Sequence, residues 1–205
     1  MSFSRPSRLS LFHKLVRGII LTMVLCVGLG VWAGSAGVAQ AEIGVLPEFA
    51  VKSAYLYQFT LFVEWPEESL GNPSDPIVVC VLGDDPFGPF LDALTRKTSQ
   101  SHPLQVRRIR QVRNAGDCHV LFISASERER LVTILASLSH RRLLTVSDME
   151  GFAGAGGIVE FVPVEKRVRF GINTEAARKA GLRISSKLLS LATIVSHGKS
   201  EGGEP

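Results

Sequence analysis

Residues 48–66 read EFAVKSAYLYQFTLFVEWP, and the fold is worked out from this stretch. Between Pro47 and Pro66 it contains no helix breaker. Proline suits the first turn of a helix, where its missing N–H has no partner to lose, and Pro66 pushes Trp65 out of the α region. A helix from about Pro47 to just before Pro66 is expected. At 100° per residue, Val51, Ala54, Tyr55, Gln58, Phe62 and Trp65 share one face, while Lys52, Ser53, Thr60 and Glu64 share another. Phe49 and Leu56 fall in or beside that polar arc, so the helix is more apolar than a one-sided surface helix requires. It is either buried on most sides within its own domain, or Phe49, Leu56 and Tyr57 cover a partner chain.

Before this helix the sequence reads as an export leader. Arg5, Arg8, Lys14 and Arg17 form a basic start, Gly18 to Ala33 is apolar, and Ala39-Gln40-Ala41 fits a small-residue cleavage site. The expectation is a signal peptide over residues 1–41, cleaved after Ala41. The whole chain has 23 Lys and Arg against 19 Asp and Glu, but four of those bases and none of the acids lie in the leader. The mature chain is then formally neutral, and the basic balance is no evidence for nucleic-acid binding. Residues 42–205 suffice for one domain with one core. Of the three cysteines, Cys26 leaves with the leader; export favours joining Cys80 and Cys118, the plainer alternative being two buried thiols.

After Pro66 comes a loop rich in Gly, Asn, Pro and Ser, and then a series of strands. Ile77–Leu82, Leu104–Ile109, His119–Ile123 and Leu143–Val146 are apolar runs of strand length. Helices are expected over 87–95 and 127–137, the second opened by Ser126 with Glu129 three residues on. Residues 158–162 and 167–172 read as a hairpin. Asn173 or Thr174 caps a short helix to Ala180, Ser185 caps a last helix to about Val195, and 197–205 reads as a disordered tail. The sum is a single-domain α/β three-layer sandwich over 42–196. Its mixed, mostly parallel sheet is flanked by helices and ends in a C-terminal antiparallel hairpin and two helices.

No catalytic constellation is present. GxSxG, the phosphate-cradling Walker A pattern and HExxH are all missing, and no His pairs by spacing with another metal-ligand type. Neither a cofactor nor a metal is expected, and an enzyme is the weakest of the classes considered. A small-molecule site is more arguable. In open α/β sheets ligands collect beyond the carboxyl ends of parallel strands, and there the chain carries Asp84, Ser124, Ser126 and Asp148. The plainer reading is that these residues cap helices and turns.

The segments VKSAYLYQFTLFVEWP, VVCVLGDDPFG, CHVLFIS, LLTVSDMEGFAGAGGIVEFV and RVRFGINTEAARKAGLRISSKLLSLA, in this order and spacing, resemble the YfiR/HmsC-like family of bacterial periplasmic proteins. The resemblance covers about Val51 to Val195. It implies a periplasmic, non-enzymatic repressor, commonly a homodimer, that binds the periplasmic sensor part of an inner-membrane diguanylate cyclase. Such a protein lowers cyclic-di-GMP and biofilm formation. Some relatives have a second cysteine pair in the region of Ser147–Ile158; this sequence has none there. The Cys80–Cys118 pair is then a structural staple or a redox-sensitive control. The alternative function is a periplasmic small-molecule-binding module using the carboxyl ends of the strands.

Overall fold

The computed structural model describes residues 47–164 and 167–195. The expected leader with its cleavage site and the expected tail from 197 lie outside the described residues. Helix α1 (Glu48–Phe62) starts behind Pro47 as expected, but it stops three residues earlier than the proline alone requires. Val63 is β-branched and Trp65 precedes proline, so both favour extended backbone. The chain uses that preference to form β1 (Val63–Glu64).

The inward face of α1 is a correction. The buried stripe is Lys52, Ser53, Leu56, Phe59 and Thr60, continued by Val63, whereas Ala54 and Gln58 are exposed. Three polar residues therefore point inward. Burying a polar group is costly only when it lacks a partner. Here Ser53 Oγ donates to Ala50 O at 2.8 Å and Thr60 Oγ1 to Tyr57 O at 2.7 Å. Leu56, expected on a partner face, is fully buried in the core, so that face is reduced to the half-buried Phe49 and Tyr57.

The remaining elements follow in order. A short α2 (Glu67–Leu70) leads to β2 (Ile77–Leu82), and α3 (Pro89–Asp92) runs on as a 3₁₀ turn over Ala93–Arg96. A hairpin of β3 (Thr98–Ser99) and β4 (His102–Ile109) precedes β5 (Val120–Ile123). A 3₁₀ segment over Ala125–Arg130 enters α4 (Leu131–Leu138). Then come β6 (Leu144–Ser147), β7 (Val159–Val164), β8 (Arg167–Ile172), α5 (Thr174–Lys179), β9 (Arg183–Ile184), α6 (Ser186–Leu189) and β10 (Thr193–Ile194).

The main sheet has eight strands in the order β10-β8-β7-β6-β5-β2-β4-β3. Strands β4, β2, β5, β6 and β7 run parallel, β7 and β8 form the antiparallel hairpin, and β10 joins β8 in parallel. β1 and β9 pair separately as a two-stranded antiparallel ribbon. The strand alternation sorts the core into two layers, one on each face. On one face Val79, Val81, Val120, Phe122, Phe161 and Phe170 pack against Leu56 and Phe59 of α1, Leu91 of α3 and Leu188 of α6. On the other, Val78, Cys80, Leu82, Leu121 and Ile123 pack against Ile134 and Leu138 of α4 and against Met149 and Phe152. Phe152, Phe161 and Phe170 are core, as expected from the sequence.

The C-terminal end departs from expectation. The last helix is one turn, α6, and the segment expected to prolong it turns into β10. Thr193 and Ile194 find an unpaired edge of β8 opposite Gly171 and Ile172, and Val195 N donates to Ile172 O at 2.9 Å. The helix expected over 87–95 is likewise split, with one α turn followed by one 3₁₀ turn.

Candidate functional site

At the carboxyl ends of the strands the structure brings Asp84 and Ser126 together: Ser126 Oγ accepts the Asp84 N–H at 3.0 Å. Ser126 is therefore the acceptor that closes this turn, not a helix cap. The cap is Ser124, whose Oγ accepts the Ser126 N–H at 3.5 Å. Gly83 sits at φ +90°, and a Cβ there would collide with Ser126 Oγ, so only glycine fits between the two turns. The Asp84 carboxylate meets Arg110 Nη1 at 3.0 Å, an exposed pair.

Asp148 is turned elsewhere, to Lys52 of α1, with Nζ to Oδ2 at 2.7 Å. Lys52 is 4% exposed, also pairs with Glu48 at 2.5 Å, and lies 4.5 Å from the centroid of the Phe49 ring. Paired on two sides and set against an aromatic face, a buried ammonium is tolerated. Ser147, next to Asp148, is fully buried; its Oγ donates to Ile123 O at 2.7 Å and accepts the Met149 N–H at 3.1 Å. The loop after β6 is fastened by Glu160, which the sequence reading missed, and by Asn173, which also caps α5 as expected. Glu160 accepts the N–H groups of Gly151 at 3.0 Å and Ala153 at 2.9 Å, while Asn173 Nδ2 donates to Ala153 O at 2.8 Å. A lone Glu in an alternating strand gives no sign from sequence that it will reach back to a loop.

The amino ends are built differently. Cys80 of β2 is joined to Cys118, just before β5, with Cα atoms 5.9 Å apart. The two strands are direct neighbours, as the bridge requires. Cys118 lines a cleft of about 670 Å³ together with Ser69, Ala115–Asp117, His119 and His140–Leu143. Arg142 pairs with Glu68 at 2.6 Å across its rim. His119, read from sequence as a strand opener, is held by its ring: Nδ1 accepts the Val78 N–H at 3.1 Å, and Nε2 contacts Ser69 O at 2.9 Å. Burial pushes its imidazole below the ordinary value.

A mostly apolar groove of about 500 Å³ lies between α1 and α3. Tyr57, Ala54 and Gln58 form one wall and Phe90, Ala93 and Leu94 the other. Tyr57 is fixed there by its hydroxyl, which donates to Thr98 O at 3.1 Å, and by Lys97, whose Nζ lies 4.9 Å from the ring centroid. Phe49 instead packs edge-on against Phe87 at 5.5 Å. Tyr57 and Phe49 therefore do not share one patch. Among the described residues no three His, Cys, Asp or Glu side chains converge as metal ligands, and no helix is long and apolar enough to cross a membrane.

Among solved structures the chain is similar to the ABC domain in complex with L-Trp from Streptococcus pneumonia, at 8% identity and a TM-score of 0.43. That match covers 58% of this chain and 55% of the other. The YfiR/HmsC-like family model matches residues 49–193, from the first turn of α1 into β10, and so takes in both layers, the disulfide and the cleft. The chain belongs to the YfiR/HmsC-like family.

Proposed function

We propose that this protein is a periplasmic regulator that binds the periplasmic sensor part of an inner-membrane diguanylate cyclase and represses it, lowering cyclic-di-GMP and biofilm formation. The observation that carries this reading is the family match over residues 49–193. The protein performs no chemistry of its own in this account. It acts by binding one conformation of its partner more tightly than the other, and the difference in affinity sets how far the cyclase is shut down. The Tyr57 wall of the α1–α3 groove and the Phe49 end of α1 are the proposed contact regions, and the working form is a homodimer. The Cys80–Cys118 bridge is a staple of the sheet's other face, beneath the layer that carries this surface.

The small-molecule alternative is placed second for a structural reason. At the carboxyl ends of the strands Asp84, Ser124, Ser126 and Asp148 all have partners within the chain. The regulatory reading is tested by mixing the purified protein with the isolated periplasmic part of a cyclase encoded in the same genome and measuring the complex by calorimetry. Binding weakened at least about tenfold by Tyr57→Glu in a folded variant is expected. No heat and no co-elution with any such cyclase would remove the proposal.

A further inference from the structure

One side chain at the amino ends joins three segments of the chain. A backbone N–H can only donate and a carbonyl can only accept, so the two ring contacts of His119 fix its proton. Nδ1 must be bare to accept from Val78 at 3.1 Å, and Nε2 must carry the hydrogen to donate to Ser69 O at 2.9 Å. The backbone N–H of His119 also donates to Val78 O at 2.9 Å, so one residue grips Val78 from both sides. The Trp65 ring stands edge-on to the imidazole at 6.1 Å. In effect the neutral ring ties α2, through Ser69, to the first residues of β2.

We propose that His119 is an acid-released latch: a proton on Nδ1 sets two donors against each other at Val78, the ring leaves β2, and α2 loses its tie to β2 while Arg142, just before β6, still holds Glu68 and Ser69. The amino end of β2 beside the cleft is then freed from the ring. An exported chain meets the pH outside the cell, so the latch has a signal to respond to. The inference concerns this chain alone and does not depend on the cyclase reading.

The surroundings define how the latch titrates. Burial is the largest influence and lowers the imidazole's affinity for a proton. The Ser69 carbonyl and the Asp117 carboxylate work the other way, and His102, at the start of β4 on the far side of β2, adds to the lowering. Across the cleft stand Arg142 paired with Glu68, and His140 and Arg141 on the α4–β6 loop. The Glu68 carboxyl is held below its ordinary value by its backbone hydrogen bond and then by Arg142. His102 makes a useful contrast. Its Nδ1 contacts Asp75 O at 2.9 Å, which requires a proton on Nδ1 already, so protonating its other nitrogen breaks no such bond.

The sign follows from linkage. The folded value of His119 lies below the unfolded one, so between the two the unfolded chain binds more protons. The stabilisation is complete above about pH 6.5 and is lost as pH falls through the lowered folded value.

The test is amide exchange by NMR on the purified protein at about pH 7.5 and at a lower pH where the imidazole ¹⁵N shifts show His119 protonated, expressed as protection factors to remove the intrinsic pH effect. The Val78 amide is expected to lose at least about tenfold protection at the lower pH, while the amide of Cys80 in mid-strand keeps its own. In His119→Gln, whose side chain offers one acceptor and one donor without titrating, the loss at Val78 should vanish; in His102→Gln it should persist. Equal protection of Val78 at both pH values, a parallel loss at Cys80, or a response that disappears in His102→Gln would overturn the latch. The imidazole ¹⁵N shifts of the unmodified protein give a readout that needs no variant. They must show the proton on Nε2 at about pH 7.5, and a proton on Nδ1 would overturn the proposal by itself.

Discussion

The two ends of the parallel strands are built in opposite ways. At the carboxyl ends, where the sequence concentrates Asp84, Ser124, Ser126 and Asp148, each polar group is engaged by a neighbour in the chain. At the amino ends, where the sequence pointed only to the cysteine pair, there is an open cleft, the disulfide in its wall and an imidazole whose proton position decides two contacts. The contrast teaches that polar residues at strand ends are as well used for closing turns as for holding a ligand. A cleft forms where backbone segments diverge and nothing fills the gap, and residue type alone does not announce it.

The largest effect expected from breaking this contrast lies at the amino side. Cys80→Ser should lower stability to urea by up to ~4 kcal/mol, the loop-entropy estimate for a bridge spanning 38 residues. Cys118→Ser should match it, and the double variant should add little. A loss below about 1 kcal/mol would show that packing of β2 on β5, not the bridge, holds this end together.

At the carboxyl side the largest effect belongs to Lys52. Lys52→Met should cost about 3 kcal/mol in chemical denaturation, because Asp148, with its side chain 18% exposed, loses its cation. Adding Asp148→Asn should return part of that loss, and an additive double variant would mean the pair is not coupled. Gly83→Ala comes next, at about 2 kcal/mol, since its φ of +90° and the Ser126 hydroxyl both oppose a Cβ. The smallest effect is Asp84→Ala, below about 0.5 kcal/mol, because its pair with Arg110 is exposed on both sides. Loss of more than about 2 kcal/mol there would show that the Asp84 carboxylate orders something beyond its own turn.

Much of this fold was legible because its central strands are buried on both faces. IVVCVL and VLFI cannot face water on either side, and each became a strand close to its expected bounds, with Cys80 in one and Cys118 just before the other. Edge elements were less visible. β1, β9 and β10 are two residues each, and what makes them strands is a partner far away in sequence, such as Ile184 for Val63. The buried face of α1 was misread for a related reason. Lys52, Ser53 and Thr60 look outward-facing on any polarity scale, and their inward placement depends on Asp148 and on carbonyls of α1 itself. The cleft was hidden because its decisive residue, His119, acts through Val78 and Ser69, which carry no distinguishing side-chain chemistry.

The proposed restraint of a diguanylate cyclase from the periplasm is measured as cellular cyclic-di-GMP in the wild type, a clean deletion of the gene and the complemented deletion. A rise in the deletion that re-expression reverses is the predicted result. An unchanged level in the deletion, with a cyclase bearing a periplasmic sensor part present and expressed, would contradict the account.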